Sequence, residues 1–155
     1  MGRRDEGEKT VASNRRARHD YELLERYECG IQLTGDEVKS LREGRASLVD
    51  CYGRVRDGEL WLEGMHIPPY EQGDTRSHLP LRPRKLLLHR REIDEITREV
   101  NEKGLTLVPL RVYFVHGLVK VEMALAKGKR KYEKRQSIAK REAEREMERA
   151  AGRRR

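Results

Sequence analysis

The chain has 155 residues, of which 40% are charged, 35% hydrophobic and 5% aromatic, and its formal net charge is +8. This length predicts a single domain, and no apolar run approaches the ~18 residues that indicate a transmembrane helix. The first residues lack the apolar core of a secretory signal, and Cys29 and Cys51 form neither a disulfide framework nor a CxxC site. We therefore expect a cytoplasmic protein.

The N-terminal part combines a polar segment with a predicted strand. Residues 1–13 are polar and charged, so we expect them to be disordered. From Tyr21 to Ile31, apolar residues recur at spacings of two or four, with charged residues on the opposite parity, which predicts a strand with one buried face. Leu24 and Glu25 break this alternation, which indicates a β-bulge or an ambiguous register.

A short helix is predicted after this strand. Thr34 and Glu37 have the spacing of a capping box, in which each side chain accepts a hydrogen bond from the other residue's backbone N–H. Gly44 is a suitable residue to end the helix. Lys39 and Arg42 lie on its polar side.

Two β-hairpins follow. Asp57 and Gly58 are typical of a two-residue type I′ turn, and they separate the segments CYGRVR and ELWLEGM. His116 and Gly117 occupy the same place between LRVYFV and LVKVEMALA. Pro109, near the start of the second hairpin, predicts an edge position or a bulge.

The region between the hairpins contains a Pro-rich segment, residues 68–83, that we predict to be irregular. A helix follows, because Ile93, Ile96 and Val100 form one apolar side, and it ends at Gly104. Five or six antiparallel strands with two small helices and no βαβ alternation predict a mainly β fold. An OB-type barrel fits this pattern.

The charge distribution separates a body from a tail. Residues 1–126 hold 22 basic and 22 acidic residues, whereas residues 127–155 hold 13 and 5. A basic block at a chain end typically binds a polyanion. We therefore predict a disordered N-terminus (residues 1–13), an OB-like barrel (residues 14–126) and a basic C-terminal tail (residues 127–155).

The tail has the composition of a helix that is weak alone. Over residues 136–152 its apolar stripe is narrow, and like charges such as Arg141 and Arg145 recur at i, i+4, which is mildly destabilising. With Lys134 and Arg149 these arginines form a cationic ridge. RNA phosphates would relieve the repulsion and order the segment.

Four separated motifs carry a family resemblance. They are NRRARHDY from Asn14, ECGIQLTGDEVKSLR from Glu28, RKLLL from Arg84 and AKGKRKYEKR from Ala126. Their sequences and their order resemble the SmpB family, the SsrA-binding proteins of bacteria.

This resemblance implies a fold and a function. The fold is an OB-like six-stranded antiparallel barrel with small flanking helices, and its tail is disordered when free and helical on the ribosome. The barrel binds the tRNA-like part of transfer-messenger RNA (SsrA) and delivers it to stalled ribosomes for trans-translation. The tail probes the decoding centre and the empty mRNA channel of the small subunit. Elongation factor Tu joins the complex with the charged RNA.

The candidate site residues fall into two groups. The candidate RNA-binding residues of the barrel are Asn14, Glu28, Lys39, Arg42, Leu87 and Lys120. The strand alternation independently predicts that Glu28 and Lys120 face outward. The candidate ribosome-binding residues of the tail are Gly128, Lys129, Arg130, Tyr132, Glu133, Lys134, Arg135, Arg141 and Arg145. Arg130 and Glu133 replace the Lys and Asp that are usual in the family.

Three other functions compete with this prediction. An enzyme is disfavoured, because the five histidines are scattered and no HExxH, GxSxG or phosphate-loop motif occurs, so we expect no catalysis, metal or cofactor. A generic OB-fold RNA- or single-strand-binding protein would need several aromatic residues on one exposed face, for which Tyr52, Trp61 and Tyr113 are the candidates. The third alternative is a protein-interaction module that pairs through the tail. The apolar stripe of the tail is too short, and its side chains too small, for a stable coiled coil.

Overall fold

A computed structural model describes residues 8–71, 79–129 and 140–150 of the chain. Within these residues the elements in chain order are β1 (Glu8–Ser13), α1 (Ala17–Asp20), β2 (Tyr21–Ile31), α2 (Gly35–Arg42), β3 (Tyr52–Arg56), β4 (Glu59–Glu63), β5 (Arg84–Leu87), α3 (Arg90–Lys103), β6 (Thr106–Val115), β7 (Leu118–Gly128) and α4 (residues 140–150). No helix in these ranges is both long enough and apolar enough to cross a membrane.

Six of the strands close into a barrel. Their order is β6-β3-β4-β5-β2-β7, and β7 pairs back onto β6. All of these pairings are antiparallel, so the prediction of a mainly β, OB-like six-stranded barrel is confirmed. Closure removes the unpaired strand edges that an open sheet of this size would expose. β1 is a seventh strand, which pairs with the end of β6 that extends beyond the contact with β3.

Local sequence signals account for helix ends in α2 and α3. The Thr34 hydroxyl accepts from the Glu37 N–H at 3.2 Å, and the Thr34 N–H donates to the Glu37 carboxylate at 2.9 Å, so the predicted capping box is confirmed. α3 ends at Gly104, whose φ of 63° is in the left-handed region that glycine tolerates best. His89 is the N-cap of α3, and its N–H donates to Glu92 at 3.3 Å.

The two predicted hairpin turns are confirmed by their backbone angles. Asp57 and Gly58 have φ values of 52° and 73°, and His116 and Gly117 have 49° and 80°. Positive φ at both central residues is the geometry of a type I′ turn. Each turn brings its flanking strands into direct register, with β3 paired to β4 and β6 paired to β7.

The two predicted irregularities in the strands are also confirmed. The register of β2 against β7 shifts between Leu23 and Arg26, and that of β6 against β7 shifts between Pro109 and Arg111. Pro109 has no N–H to donate to the ladder, which makes a bulge a favourable place for it. A bulge re-aims the side chains that follow it, so both shifts affect which residues face outward.

Two predicted boundaries are wrong. Residues 8–13 were expected to be disordered but form β1, because backbone pairing with β6, from Glu8 opposite Val115 onward, supplies hydrogen bonds that composition does not reveal. The tail does not begin at residue 127, since β7 continues to Gly128, which pairs with Tyr21. Residues 1–7 lie outside the described residues.

Part of the tail is helical in the structure. α4 covers residues 140–150, and every one of them is exposed, as expected for a helix with a narrow apolar stripe. The rest of the tail, residues 130–139 and 151–155, lies outside the described residues. That the tail becomes ordered only on binding a partner stays a prediction.

The core fills the barrel and extends under α3. Leu60, Leu86 and Val121 from three strands are fully buried, as is Ile96 of α3. The two cysteines are free and buried, and desolvation raises the pKa of each thiol to about 12. They therefore act as small apolar core residues.

A buried ion cluster joins α2 to the segment before β5. Glu37 and Arg84 are both fully buried; the Arg84 Nε donates to the Glu37 carboxylate at 2.5 Å, and Arg82 donates to the same group. The other two nitrogens of Arg84 donate to the carbonyls of Met65 and Pro80 at 2.6 and 3.1 Å. This ion cluster therefore holds together the two ends of the Pro-rich segment.

We expect Glu37→Gln to destabilise the fold by about 3–5 kcal/mol near pH 7, because Arg84 would keep a buried charge without its anion. Desolvation alone would raise the pKa of Glu37, but the hydrogen bonds from Arg82, Thr34 and Arg84 lower it below its usual value. The stability that ionised Glu37 gives the wild-type protein should be lost as the pH falls below about 4.3, the unfolded pKa of Glu. The variant already lacks this contribution, so its stability should not show this loss.

The measurement is urea unfolding between pH 7 and pH 3, with Asp94→Asn as the control that removes an exposed carboxylate of α3. Equal stabilities of Glu37→Gln and Asp94→Asn at pH 7 would contradict this role for the ion cluster.

Candidate nucleic-acid interface

The pairing of β7 with both β6 and β2 places one row of side chains on the outside of the barrel. Tyr113 of β6 lies opposite Lys120 of β7, Lys120 lies opposite Gly30 of β2, and Gly30 lies opposite Leu87 of β5. Directly paired residues point to the same face of a sheet. The row therefore crosses four adjacent strands.

A second row lies two residues further along each strand, on the same face. Arg111 pairs with Glu122, which also pairs with Glu28. We call the outward side chains of both rows the outer patch; its members are Glu28, Leu87, Arg111, Tyr113, Lys120 and Glu122. The structure thus brings together three of the predicted RNA-binding residues, Glu28, Leu87 and Lys120.

Tyr113 fixes the orientation of Glu28. Its hydroxyl donates to the Glu28 Oε1 at 2.9 Å, diagonally across β7, and its ring is buried beneath the Arg111 guanidinium, 3.9 Å from the ring centroid. Desolvation and the bond to Glu28 both raise the pKa of Tyr113, so it stays a protonated donor at neutral pH. One carboxylate oxygen of Glu28 is therefore held by the protein.

Arg111 and Glu122 balance the charge around this pair. The Arg111 guanidinium donates to Glu8 of β1 at 3.1 Å and lies 3.8 Å from Glu122, which is also 3.8 Å from Arg26. Partly exposed ion pairs such as these contribute little stability individually. As a network, they keep the Arg111 guanidinium over the Tyr113 ring.

Gly30 leaves room for Leu87. A Cβ at position 30 would lie 3.3 Å from the Leu87 Cβ, a tight contact that would displace the leucine. Leu87 is 45% exposed although it belongs to a strand whose neighbouring Leu86 is fully buried. An exposed leucine beside a charged row offers an apolar surface to a base or a sugar.

Asn14 lies at the margin of the patch and has a structural contact of its own. Its backbone N–H donates to the Leu110 carbonyl at 2.8 Å, and its side-chain amide donates to the Pro109 carbonyl at 3.0 Å. Both acceptors belong to the bulge of β6. Asn14 therefore anchors the connection between β1 and α1 to the strand that carries Arg111.

Lys39 and Arg42 lie on α2 rather than on the barrel strands. Both are exposed, as the polar side of the predicted helix requires, and the Lys39 ammonium lies 5.4 Å from the centroid of the Tyr70 ring. Their part in binding RNA stays a prediction.

The predicted tail residues are divided by the structure. Gly128 ends β7, and Lys129 belongs to the barrel, because its N–H donates to the Asp20 carbonyl and its Nζ to the Arg18 carbonyl, each at 3.0 Å. Arg141 and Arg145 lie on the exposed helix α4. The remaining tail candidates lie outside the described residues; they are Arg130, Tyr132, Glu133, Lys134 and Arg135.

Sequence reasoning missed the roles of Tyr113, Arg111 and Glu122. The turn at His116 and Gly117 could have revealed Tyr113, since a two-residue turn sets Tyr113 opposite Lys120. The hydrogen bond to Glu28 was not predictable in this way, because it depends on the pairing of β2 with β7, more than 80 residues apart in the chain.

The three predicted stacking candidates, Tyr52, Trp61 and Tyr113, do not form a shared stacking surface. Tyr113 is 2% exposed, so its ring face is not available to a base. Tyr52 and Trp61 lie on the outer side of the β3–β4 hairpin instead, and Arg56 covers Trp61 at 5.9 Å from the ring centroid. In the part of the chain that the structure describes, no group of three or more His, Cys, Asp or Glu residues is placed to hold a metal ion.

The closed barrel and its charged outer patch define an OB-like barrel protein, and comparison with known proteins gives its family. The family model described as SmpB protein matches residues 11–153. The chain is 62% identical over 151 residues to the SsrA-binding protein of Salinispora arenicola, covering 97% of this chain and 95% of the relative. It is 61% identical over 146 residues to that of Desulforudis audaxviator, covering 94% and 95%.

A solved structure supports the same assignment. It is described as "tmRNA-SmpB: a journey to the center of the bacterial ribosome", and one of its chains matches with a TM-score of 0.65 and 49% identity, covering 82% of this chain and 93% of that one. The chain therefore belongs to the SmpB family.

We expect Tyr113→Phe to lower the free energy of unfolding by about 1 kcal/mol, since the hydroxyl donates one largely buried hydrogen bond. Urea denaturation measures this. Tyr52→Phe is the matched control, because Tyr52 is 45% exposed, and it should change the stability by less than about 0.5 kcal/mol. If both variants had the same stability, the hydrogen bond to Glu28 would have no energetic role.

Proposed function

We propose that this protein binds the tRNA-like part of transfer-messenger RNA and delivers it to stalled ribosomes for trans-translation. The observation that carries the proposal is the outer patch, which places Glu28, Leu87 and Lys120 side by side on three adjacent strands. The names of the relatives, SsrA-binding proteins, and the description of the matched structure, which names tmRNA and the bacterial ribosome, support the same RNA and the same setting.

The side chains of the outer patch are suited to binding a folded RNA rather than a generic polyanion. Lys120 and Arg111 are suited to phosphates, but Glu28 would repel them. A carboxylate at an RNA surface acts instead as an acceptor for base amino groups. Because Tyr113 holds Oε1, Glu28 presents Oε2 in a defined direction. Shape and such acceptors must supply specificity, because the deep groove of A-form RNA hides its base edges from side chains.

The tail carries the second part of the proposal. We assign to it the contacts with the decoding centre and the empty mRNA channel of the small subunit. Arg141, Arg145 and Arg149 lie at successive i+4 positions on α4, where they form one cationic row along the helix. A phosphate-lined channel would relieve the repulsion within this row. Elongation factor Tu, which the family resemblance implies as a partner, would bind the charged RNA.

Binding without catalysis completes the proposal. Among the buried titratable groups of the described barrel, Glu37 and Arg84 bind each other, and Tyr113 binds Glu28. SmpB is known as a family of RNA-binding proteins rather than of enzymes. We therefore propose that the protein acts by positioning its RNA.

We expect Glu28→Gln to weaken binding to the isolated tRNA-like RNA by about tenfold or more, since a hydrogen bond to a charged group contributes about 1.5–3 kcal/mol. Removing a negative charge would by itself strengthen binding to a polyanion. Weaker binding by the variant would therefore indicate a specific contact made by Glu28 and not general electrostatics. Glutamine still accepts from Tyr113, so the melting temperature should stay nearly unchanged.

Fluorescence anisotropy measures this affinity. The control is Glu102→Gln, which removes an exposed charge of α3 and should bind as tightly as the wild type, or slightly more tightly. Tighter binding by Glu28→Gln, or a loss of affinity matched by a loss of stability, would contradict the proposed role of Glu28.

We expect deletion of residues 130–155 to leave binding to the tRNA-like RNA largely intact and to abolish tagging on stalled ribosomes. The deletion starts after Lys129, because that residue completes the contact between β7 and α1. A reconstituted trans-translation assay measures tagging. A truncated protein that still supports tagging would contradict this division between barrel and tail.

A further inference from the structure

A small basic depression adjoins the outer patch. It has a volume of about 200 Å³ and lies where α1, β2, β6 and β7 meet. Its lining includes the side chains of Asn14, Arg15, Arg18, Arg26, Arg111 and Glu122. Four arginines against one glutamate give it a positive charge, although residues 1–126 as a whole carry no net charge.

The two bulges and Asn14 bring these arginines together. Arg26 is the first paired residue after the bulge of β2, and Arg111 is the first after the bulge of β6. Asn14 ties the following turn to the β6 bulge, and buried Ala17 holds α1 against the barrel, so Arg15 and Arg18 are carried to the rim of the same depression. A bulge beside a binding site typically serves to re-aim a side chain in this way.

The arginines differ in how far their charge is already compensated. Arg26 and Arg111 share Glu122, and Arg111 also binds Glu8. Arg15 and Arg18 are exposed, and within the described ranges neither forms an ion pair. Two uncompensated guanidinium groups therefore remain beside two compensated ones.

We propose that this depression binds one phosphodiester group of the RNA backbone. Arginine is suited to this ligand, because its planar fork donates two parallel hydrogen bonds to phosphate oxygens. Arg26 lies two residues before Glu28 on the same face of β2, about 6.6 Å away along the strand. Phosphate contacts fix the register of a nucleic acid, whereas base contacts specify its sequence. A phosphate held here would therefore position the RNA so that one of its bases can reach Glu28.

This inference rests on the proposed function, and the test separates the two. The full-length protein is titrated with the isolated tRNA-like RNA at several salt concentrations. The double variant Arg15→Ala/Arg18→Ala should bind roughly tenfold or more weakly than the wild type. The slope of log K against log salt should fall by about 0.7–0.9, the contribution of one phosphate.

The matched control is Arg91→Ala/Arg98→Ala, which removes two exposed arginines of α3 and so changes the net charge equally. It should leave both the affinity and the slope near the wild-type values. Arg15→Lys/Arg18→Lys should restore the slope but only part of the affinity, because lysine keeps the charge and lacks the fork. Thermal unfolding should show that all three variants are folded.

An alanine variant with the affinity and the slope of the α3 control would overturn the phosphate site while leaving the proposed function intact. Failure of the wild-type protein to prefer the tRNA-like RNA over poly-uridine would instead overturn the proposed function, and the phosphate site with it.

Discussion

The register of β7 between β6 and β2 is the constraint on which the outer patch depends. Side chains alternate between the two faces of a strand, so a slip of one residue would turn Lys120 and Glu122 into the core and expose Val121. The turn at His116 and Gly117 fixes one side of this register, and the buried face of β7 fixes the other. Packing in the core of the barrel therefore determines which side chains of β7 face outward in the outer patch.

The bulges modify this register where the candidate site needs it. Without the shift after Pro109, Arg111 and Tyr113 would pair with Val121 and Val119 of β7 and would both face the core. Without the shift after Leu23, the residues of β2 beyond the bulge would present the opposite parity, and Glu28 would face the core. Pairing across the barrel and local irregularity together decide that Tyr113, Arg111 and Glu28 meet.

Much of the fold was predictable because its signals are local. The capping box at Thr34, the type I′ turns, the amphipathic α3 and both bulges depend on residues close in the chain. β1 was missed because its partner β6 lies about 100 residues away, and a polar strand at a sheet margin has no apolar alternation to reveal it. The end of the barrel was placed too early for a similar reason, since β7 is extended by pairing with Tyr21.

The candidate site was predictable only in part. Alternation indicated that Glu28 and Lys120 face outward, and the structure agrees. Their joint arrangement with Leu87 was not accessible from the residues alone, because it needs three strands to be adjacent. The burial of Arg84 was equally hidden, because a basic residue in a basic motif is ordinarily exposed. Its contacts with Glu37 and with the carbonyls of Met65 and Pro80 explain its place in the interior.

The charge of the protein changes close to the end of the barrel. Residues 1–126 carry no net charge, β7 ends at Gly128, and the segment beyond residue 126 carries the entire surplus of +8. Non-specific attraction to RNA falls with salt and does not discriminate among sequences. This charge distribution is consistent with the proposed division of roles, in which the neutral barrel selects one folded RNA and the cationic tail enters an RNA-lined channel.

We propose that the barrel alone recognises a particular folded RNA. The most direct measurement is competition: residues 1–129, bound to fluorescent tRNA-like RNA, are challenged with unlabelled tRNA-like RNA or with poly-uridine at equal nucleotide concentration. We predict that the folded competitor displaces the complex at a far lower concentration than poly-uridine does. Equal displacement by the two competitors would contradict the account.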